Sequence, residues 1–323
     1  MARELGAVVL GYGAEAAEHL KPLLESLAGE GLDAEDVTVV WNPGGRQSDF
    51  TSPVERVTTI RAPRNLGYAG GMNLGIRDQL QKERSLLLLL TQDVRLEPGA
   101  VGRLRSAAAQ ESAYGVLGPE LRWSGTGQVT FGIRWSARGK VDHVHARPDD
   151  ADGDGVVESD AIDGAVVLLR AKVLDDIGLL HDNLFMYFEE TELCLRAKRA
   201  GWRVGVVLGA VAEQSPGGVR RPGAFNYLMA RNGLEFALLL AGWRGVLAAL
   251  GRDIAQSWRL MKMRFSPKSD TQRRWFATVS LVGLWLGVLA FGRRRWGPPP
   301  ENLPGLGDMQ LTAGELGRDQ PSA

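Results

Sequence analysis

An α/β fold built on a mostly parallel sheet, with helices on both faces and a helical C-terminal extension, is the class this sequence predicts. Three observations carry it. Short apolar runs alternate with helical stretches through the first half, one run is apolar without interruption, and beyond residue 222 the spacing turns helical and apolar. With 44% hydrophobic and 24% charged residues among 323, the chain has globular proportions that exclude wholesale disorder.

Gly6–Leu10 reads as a buried strand and Ala16–Leu27 as a helix. Val37–Trp41 is a second strand, stopped by the turn Asn42-Pro43-Gly44-Gly45. Val57–Ile60 is a third, followed by a Gly-rich loop and a helix over 73–82. Leu86–Thr91 is continuously apolar, which predicts a strand buried on both faces. Strand and helix repeating at this spacing imply parallel neighbours joined by right-handed crossovers. After Leu121 a polar, strand-like pattern runs through Val129–Val144, then an acidic stretch over 149–160 and a second ordered block over Ile162–Val211. Helical spacing covers Phe225–Ala241, Val246–Met263 and Trp275–Phe291. Beyond Gly297 the chain is rich in Pro and Gly and is expected to lack structure. These shifts divide it into an α/β domain over 1–215, a helical region over 216–296 and a tail over 297–323.

Lys plus Arg equals Asp plus Glu, 38 against 38, so nothing points to a whole-surface nucleic-acid binder. The single cysteine, Cys194, excludes an intramolecular disulfide and any cysteine-based metal cluster, and its place after a helix start predicts a core position. Residues 1–13 hold neither a basic leader nor a small-residue cleavage site, which predicts a cytoplasmic protein. Trp275–Phe291 is uncharged, with Arg273-Arg274 before it and Arg293-Arg294-Arg295 after it. It falls short of a confident spanning length and predicts a packed C-terminal helix; the alternative is contact with the inner face of an anionic membrane, the arginines as anchors.

In open parallel sheets, ligands bind outside the carboxyl ends of the strands, so the loops there hold the candidate site. Gly67-x-x-Gly70-Gly71 lets backbone approach a ligand and offers N–H groups at a helix start, a ready anion site, though such a turn also serves structure alone. Asp93, beside Gln92, ends the buried strand; a carboxylate there can hold a divalent cation against a diphosphate, or cap a turn. Glu189, Glu190 and Glu192 open a helix, where the dipole favours acidic groups. The preceding Phe185, Met186, Tyr187 and Phe188 would partly bury them, and burial with like-charged neighbours raises carboxyl pKa values toward those of a general base. Asp150-x-Asp152-x-Asp154-Gly155 copies half of a calcium loop, but Ala161 stands where the bidentate Glu belongs, so a solvated acidic loop is expected. His143 and His145 share one strand face with no third ligand nearby, which predicts an exposed sheet face.

Taken together, Asn65-Leu-Gly-Tyr-Ala-Gly-Gly71, Thr91-Gln-Asp93, Asp163-Gly-Ala165, Phe185-Met-Tyr-Phe-Glu-Glu-Thr-Glu-Leu-Cys-Leu-Arg196 and Ala230-Arg-Asn232 follow one another in a recognisable order. Over residues 6–240 the chain resembles the inverting family 2 glycosyltransferases of GT-A fold, a Rossmann-like nucleotide-diphospho-sugar transferase architecture, and especially their bacterial rhamnosyltransferase-like branch. The resemblance implies that 1–215 binds a nucleotide sugar and catalyses transfer of its hexose or deoxyhexose, with dTDP-rhamnose favoured and UDP-sugars next. The acceptor is a hydroxyl of a glycan, a lipid-linked precursor or a secondary metabolite. By position Glu190 is the base, with Glu189 as alternate. Asn42 would face the nucleobase, Arg64, Asn65 and Gly67 the nucleotide, and Asp163 and Gly164 the donor sugar, with Gln92 beside them. Arg231 would counter the diphosphate charge. Asp93 would hold Mg²⁺ or Mn²⁺, with Gln214 standing where the family often has a His ligand; its amide oxygen suits a hard cation.

The chain departs from the family pattern at four places. Trp41 replaces the base-reading Asp, which leaves recognition to Asn42 and stacking. Gln92 leaves one carboxylate in the metal motif, Gln214 replaces His, and Glu190 replaces Asp. The other class to weigh is a non-catalytic binding or scaffold protein on the same fold with a decayed metal site.

Overall fold

The computed structural model describes residues 4–13, 16–43, 56–148, 155–215 and 221–304. In chain order the elements are β1 (Leu5–Tyr12), α1 (Ala16–Gly29), β2 (Val37–Asn42), β3 (Thr58–Arg61), α2 (Gly67–Gln81), β4 (Leu86–Thr91), β5 (Val94–Leu96), α3 (Ala100–Gln110) and β6 (Tyr114–Trp123). Then come β7 (Val129–Thr130), β8 (Ile133–Trp135), β9 (Val141–His143), β10 (Val156–Glu158), β11 (Val166–Arg170) and α4 (Ala171–Ile177). The last are α5 (Glu189–Arg199), β12 (Arg203–Gln214), α6 (Pro222–Phe265) and α7 (Thr271–Gly292).

The chain separates into two compact units, neither contiguous in sequence. The first takes residues 1–134, 143–182 and 189–216, and the second 135–142, 183–188 and 217–323. In the first, one sheet runs in the order β10-β12-β6-β11-β4-β1-β2-β3, with β5 added to β12 and β7 to β6. β1, β2, β3 and β4 are parallel, as their apolar runs predict. β11 runs antiparallel to both β4 and β6. That reversal brings the start of β11 beside the end of β4, with Val166 opposite Leu90 and the Thr91 N–H bonded to the Ala165 carbonyl at 3.1 Å. Leu87–Leu90 are almost wholly buried, as a strand covered on both faces requires.

α2 starts six residues earlier than the spacing predicts, because the glycines belong to the helix and not to a loop before it. Gly67 opens it at φ +71°. Further along, α2 lies so close to β1 that a Cβ on Gly71 would fall 2.5 Å from Leu10, and one on Gly75 closer still to Val8.

In the second unit, α6 breaks at Gly242 (φ +62°, ψ −153°), so the two helical runs expected on either side are separate rods joined at a kink. α6 and α7 cross through small residues: a Cβ on Gly287 would come within 3.1 Å of Ala230. Asp270 caps α7, accepting from the Arg273 N–H at 2.7 Å. The expectation of an unstructured tail from 297 needs correction over its first residues. Gly297 N–H donates to the Asn183 carbonyl at 2.8 Å, and Leu303 is buried with Phe185, Ala224, Tyr227 and Leu228. Burial of one apolar side chain overrides the Pro-rich composition around it. Residues 305–323, and the acidic residues Asp150, Asp152 and Asp154, lie outside the described residues.

Candidate active site

The carboxyl ends of β1, β2 and β4, the start of β11 and the first turn of α5 all belong to the first unit and hold most of the expected site residues. Asn42 ends β2 opposite Tyr12 of β1. Its side chain is buried and fully engaged: the amide nitrogen donates to Asn65 Oδ1 and the Gly67 carbonyl, both at 3.0 Å, and Oδ1 accepts from the Leu66 N–H at 2.8 Å. Asn65 in turn accepts from the Gly67 N–H at 2.9 Å. Asn42 therefore sets the shape of the loop before α2; a nucleobase would have to break three bonds to reach its amide. Trp41 is also buried, its indole N–H directed at the Gly13 carbonyl and the Arg61 guanidinium over its ring, so it offers no stacking face. Arg64 is exposed at the rim.

Gln92 serves the backbone. Its Oε1 accepts from the Tyr12 N–H at 2.7 Å and its Nε2 donates to the Tyr12 carbonyl at 3.3 Å, which closes the end of β1 like an extra strand residue.

Asp93 and Gln214, 121 residues apart, are neighbours: Gln214 Nε2 donates to Asp93 Oδ2 at 3.1 Å. The register makes this so, since β5 follows Asp93 directly and pairs with β12 with Val94 opposite Gln214. With its nitrogen turned to the carboxylate, Gln214 is left with a buried Oε1 that has no hydrogen-bond partner. An unpartnered amide oxygen beside a carboxylate is a donor set that fits a hard cation. Among the described residues no three His, Cys, Asp or Glu side chains converge as a cage. A Mg²⁺ or Mn²⁺ ion here would take its other ligands from diphosphate oxygens and water, the usual habit of Mg²⁺ at phosphates.

The glutamates diverge in role. Glu192 is buried in a two-oxygen pair with Arg196 Nε at 2.7 and 2.9 Å, while the Arg196 fork also reaches the Leu179 carbonyl; this is an internal brace. Glu189 is buried, and its Oε2 has no hydrogen-bond partner. Burial first, and then the charge of Glu190, push its carboxyl well up, which favours the neutral form, for which a missing partner costs less than for an anion. Glu190 is only partly covered and faces the Asp163-Gly164 turn: a Cβ on Gly164 would lie 3.5 Å from its carboxyl carbon. Burial, countered by the backbone N–H groups at the helix start and raised again by Asp163, brings its carboxyl up to about 7.

Two residues that sequence reasoning assigned no role complete this cluster. Tyr68, in the first turn of α2, donates its hydroxyl to the Gly164 carbonyl at 2.7 Å and fixes the turn beneath Glu190. Its own pKa is raised well above 10 by burial and by Glu190, Glu189 and Asp163, so it stays a donor. His143 Nε2 lies 3.3 Å from Asp163 Oδ2, and in its protonated form it pulls Glu190 down. The shared face of His143 and His145 is real, with rings 6.2 Å apart, but His143 serves Asp163. Its spacing of 20 residues from Asp163 gave no sequence signal. Cys194, as expected, is buried, and burial pushes its thiol up to about 12.

Arg231 belongs to the second unit, wholly buried, donating to the Leu184 carbonyl at 2.8 Å, the Gly297 carbonyl at 2.7 Å and Asn232 Oδ1 at 2.8 Å. The expected counter-charge for a diphosphate is instead an internal strut, because its fork is consumed by carbonyls. Asn232 works beside it, its amide nitrogen within 3.0 Å of the carbonyls of Leu184, Met186 and Tyr187. Together they hold a segment in which Phe185, Tyr187 and Phe188 all have φ between +68° and +70°, a conformation side chains rarely adopt unsupported.

A carboxylate just past the end of β4 and a second carboxyl brought to about 7 at the start of α5 are groups that a transferase can use. The chain belongs to the family described as glycosyltransferase like family 2, whose pattern matches residues 18–232. It is 25% identical over 254 residues to the low-salt glycan biosynthesis hexosyltransferase Agl10 of Haloferax volcanii, covering 72% of this chain and 75% of that protein. It is 23% identical over 159 residues to the dTDP-rhamnosyl transferase RfbF of Shigella flexneri, covering 49% of this chain and 52% of the relative. Residues 1–349 of S. aureus TarS with UDP-GlcNAc superpose with a TM-score of 0.51 at 11% identity, over 91% of this chain and 93% of that one. GalNAc-T7 with UDP, GalNAc and Mn²⁺ gives 0.52 at 12% identity, over 71% of this chain and 50% of its own. The chain thus spans about half the length of the RfbF and GalNAc-T7 chains it matches. These likenesses establish a glycosyltransferase on a mixed α/β GT-A fold.

Proposed function

We propose that the chain transfers a hexose or deoxyhexose, with inversion, from a nucleoside diphosphate donor to a hydroxyl acceptor, and that Glu190 is the base. The observation that carries this reading is a carboxyl brought to about 7, partly open, at the start of α5 opposite the Asp163-Gly164 turn. Glu190 takes the proton of the acceptor hydroxyl as that oxygen bonds to the anomeric carbon. The bond from that carbon to the diphosphate oxygen breaks, and the nucleoside diphosphate leaves with the electron pair. Glu189 is enclosed, and burial favours its neutral form, which makes it the poorer base. Asp163 and Gly164 border the donor sugar, and Arg64, Asn65 and Gly67 the nucleotide. Asp93 and the free oxygen of Gln214 are the ligands for Mg²⁺ or Mn²⁺, which would neutralise charge on the departing diphosphate.

The relatives support two donor types: one is a dTDP-rhamnosyl transferase, and structural neighbours hold UDP or UDP-GlcNAc. We favour dTDP-rhamnose first and UDP-hexoses second. The test is release of nucleoside diphosphate from a panel of dTDP- and UDP-sugars with Mg²⁺ or Mn²⁺, using wild type and Glu190→Gln. Turnover of one donor, lost in the variant while its affinity for that donor is kept, supports the assignment. Near-normal turnover by the variant removes Glu190 as base.

A further inference from the structure

The second unit carries a surface that the transfer reaction does not use. Past the kink at Gly242, the helix 243–265 shows Trp243, Leu247, Ile254, Trp258, Met261 and Phe265 to solvent, several of them more than 60% exposed. At about 100° per residue these positions fall within roughly 60° of arc, one stripe on one side of the rod. The far side of the same rod is its packed face, with Gly245, Ala249 and Leu260 buried. A stripe of this kind on a soluble protein marks a contact surface.

Charge says what covers it. Residues 243–274 hold eight Lys or Arg (Arg244, Arg252, Arg259, Lys262, Arg264, Lys268, Arg273, Arg274) against two acids, Asp253 and Asp270, in a chain whose net charge is zero. Arg244, Arg259 and Lys262 are exposed beside the stripe. Two tryptophans on an apolar stripe with a basic flank are the composition of a helix lying in a lipid interface. Two other occupants fit less well. A second copy docking through the same patch would set basic flank against basic flank. Spanning the bilayer would bury Arg252, Asp253 and Arg259 at the middle of the rod, although α6 and α7 are both long and apolar enough by composition alone to qualify as spans.

We propose that the helix 243–265 docks in plane on an anionic lipid surface, its aromatic stripe in the acyl boundary and its arginines and lysine on the headgroups. This goes beyond the transfer reaction and does not depend on the identity of the donor.

The experiment is flotation of the full chain with vesicles of phosphatidylcholine containing about a third phosphatidylglycerol, against phosphatidylcholine alone. Expected is capture by the anionic vesicles only, weakened by high salt as exposed charges are screened, with a blue shift of tryptophan emission. The triple variant Trp243→Ser, Trp258→Ser, Phe265→Ser and the triple variant Arg244→Glu, Arg259→Glu, Lys262→Glu should each lose about tenfold or more of the vesicle-bound fraction. All six side chains are exposed, so both variants should keep the wild-type circular dichroism and donor hydrolysis in vesicle-free solution. The proposal is overturned if the folded wild type ignores anionic vesicles. It also fails if the apolar variant binds undiminished, if bound protein resists alkaline carbonate as a spanning chain does, or if a dimer through this face replaces vesicle binding.

Discussion

Two opposing influences meet on the carboxyl of Glu190, the base we propose. Burial raises it, the N–H groups at the start of α5 and the charge of His143 lower it, and the balance falls near 7. A base must be deprotonated to act, so kcat/KM should climb with pH through about 7 and level above it. Replacing His143 by Ala removes a charge that favours the anion. The rise should then move to higher pH with little change in the plateau, as a pH–rate profile will show; an unchanged midpoint would mean His143 acts on Asp163 alone. The same value has a consequence for stability. Between the ordinary carboxyl value of 4.5 and about 7, the folded chain holds this proton and the unfolded chain releases it, so stability from this group falls as pH rises across that window. Glu190→Gln cannot ionise, and its melting temperature should exceed that of wild type at pH 8 by more than at pH 5.

At the scale of elements, the sequence shows strands well and their directions poorly. The runs at β1, β2 and β4 are apolar because both faces are covered, and a run of that kind is visible in any window. Nothing local reports that β11 is reversed; that follows from pairing with β4 and β6. The reversal brings Asp163 to the end of β4, so the site's order in the chain was legible from its motifs while its assembly was not. Likewise a charged Arg231 among motif residues reads as a ligand until its buried carbonyl partners are seen. Two predictions belong here. Gly75→Ala puts a methyl against Val8 and Val40, and the helix must lift from the sheet; overpacking of this type costs about 1–3 kcal/mol in urea unfolding. Asn232→Ala strips a shared donor from three carbonyls of the segment 184–187. The Leu184 carbonyl keeps the Arg231 guanidinium, but those of Met186 and Tyr187 lose this donor; leaving a buried carbonyl unpaired costs on the order of 1–3 kcal/mol, and the left-handed residues of that segment, which leads directly into Glu189, lose support. The variant should unfold at lower urea and lose kcat more than it raises KM. Equal stability would show that the segment holds itself.

For the molecule as a whole, the question that decides most is whether the pair Asp93–Gln214 answers to a cation. β5 and β12 bring these two residues together whether or not a ligand is bound, and the unpartnered Gln214 Oε1 is a standing cost in the free chain. A ligand that binds only the folded state raises stability by RT ln(1 + [L]/Kd), about 2.7 kcal/mol at a hundredfold excess over Kd. Nucleoside diphosphate with Mn²⁺ should therefore raise the melting temperature above the sum of the two added singly, because the diphosphate supplies the ligands that the protein lacks. Asp93→Ala should remove that excess and leave the smaller shift from nucleotide alone. Gln214→Ala, which deletes both the orphan oxygen and its competitor bond to Asp93, should keep part of it. Thermal unfolding of the three proteins with UDP and dTDP separates the cases. If the excess survives in Asp93→Ala, the carboxylate is only an anchor for β12 and the cation sits elsewhere. If it disappears in Asp93→Ala and shrinks in Gln214→Ala, a carboxylate and an amide oxygen hold the cation here, with oxygen ligands that favour Mg²⁺ over softer ions.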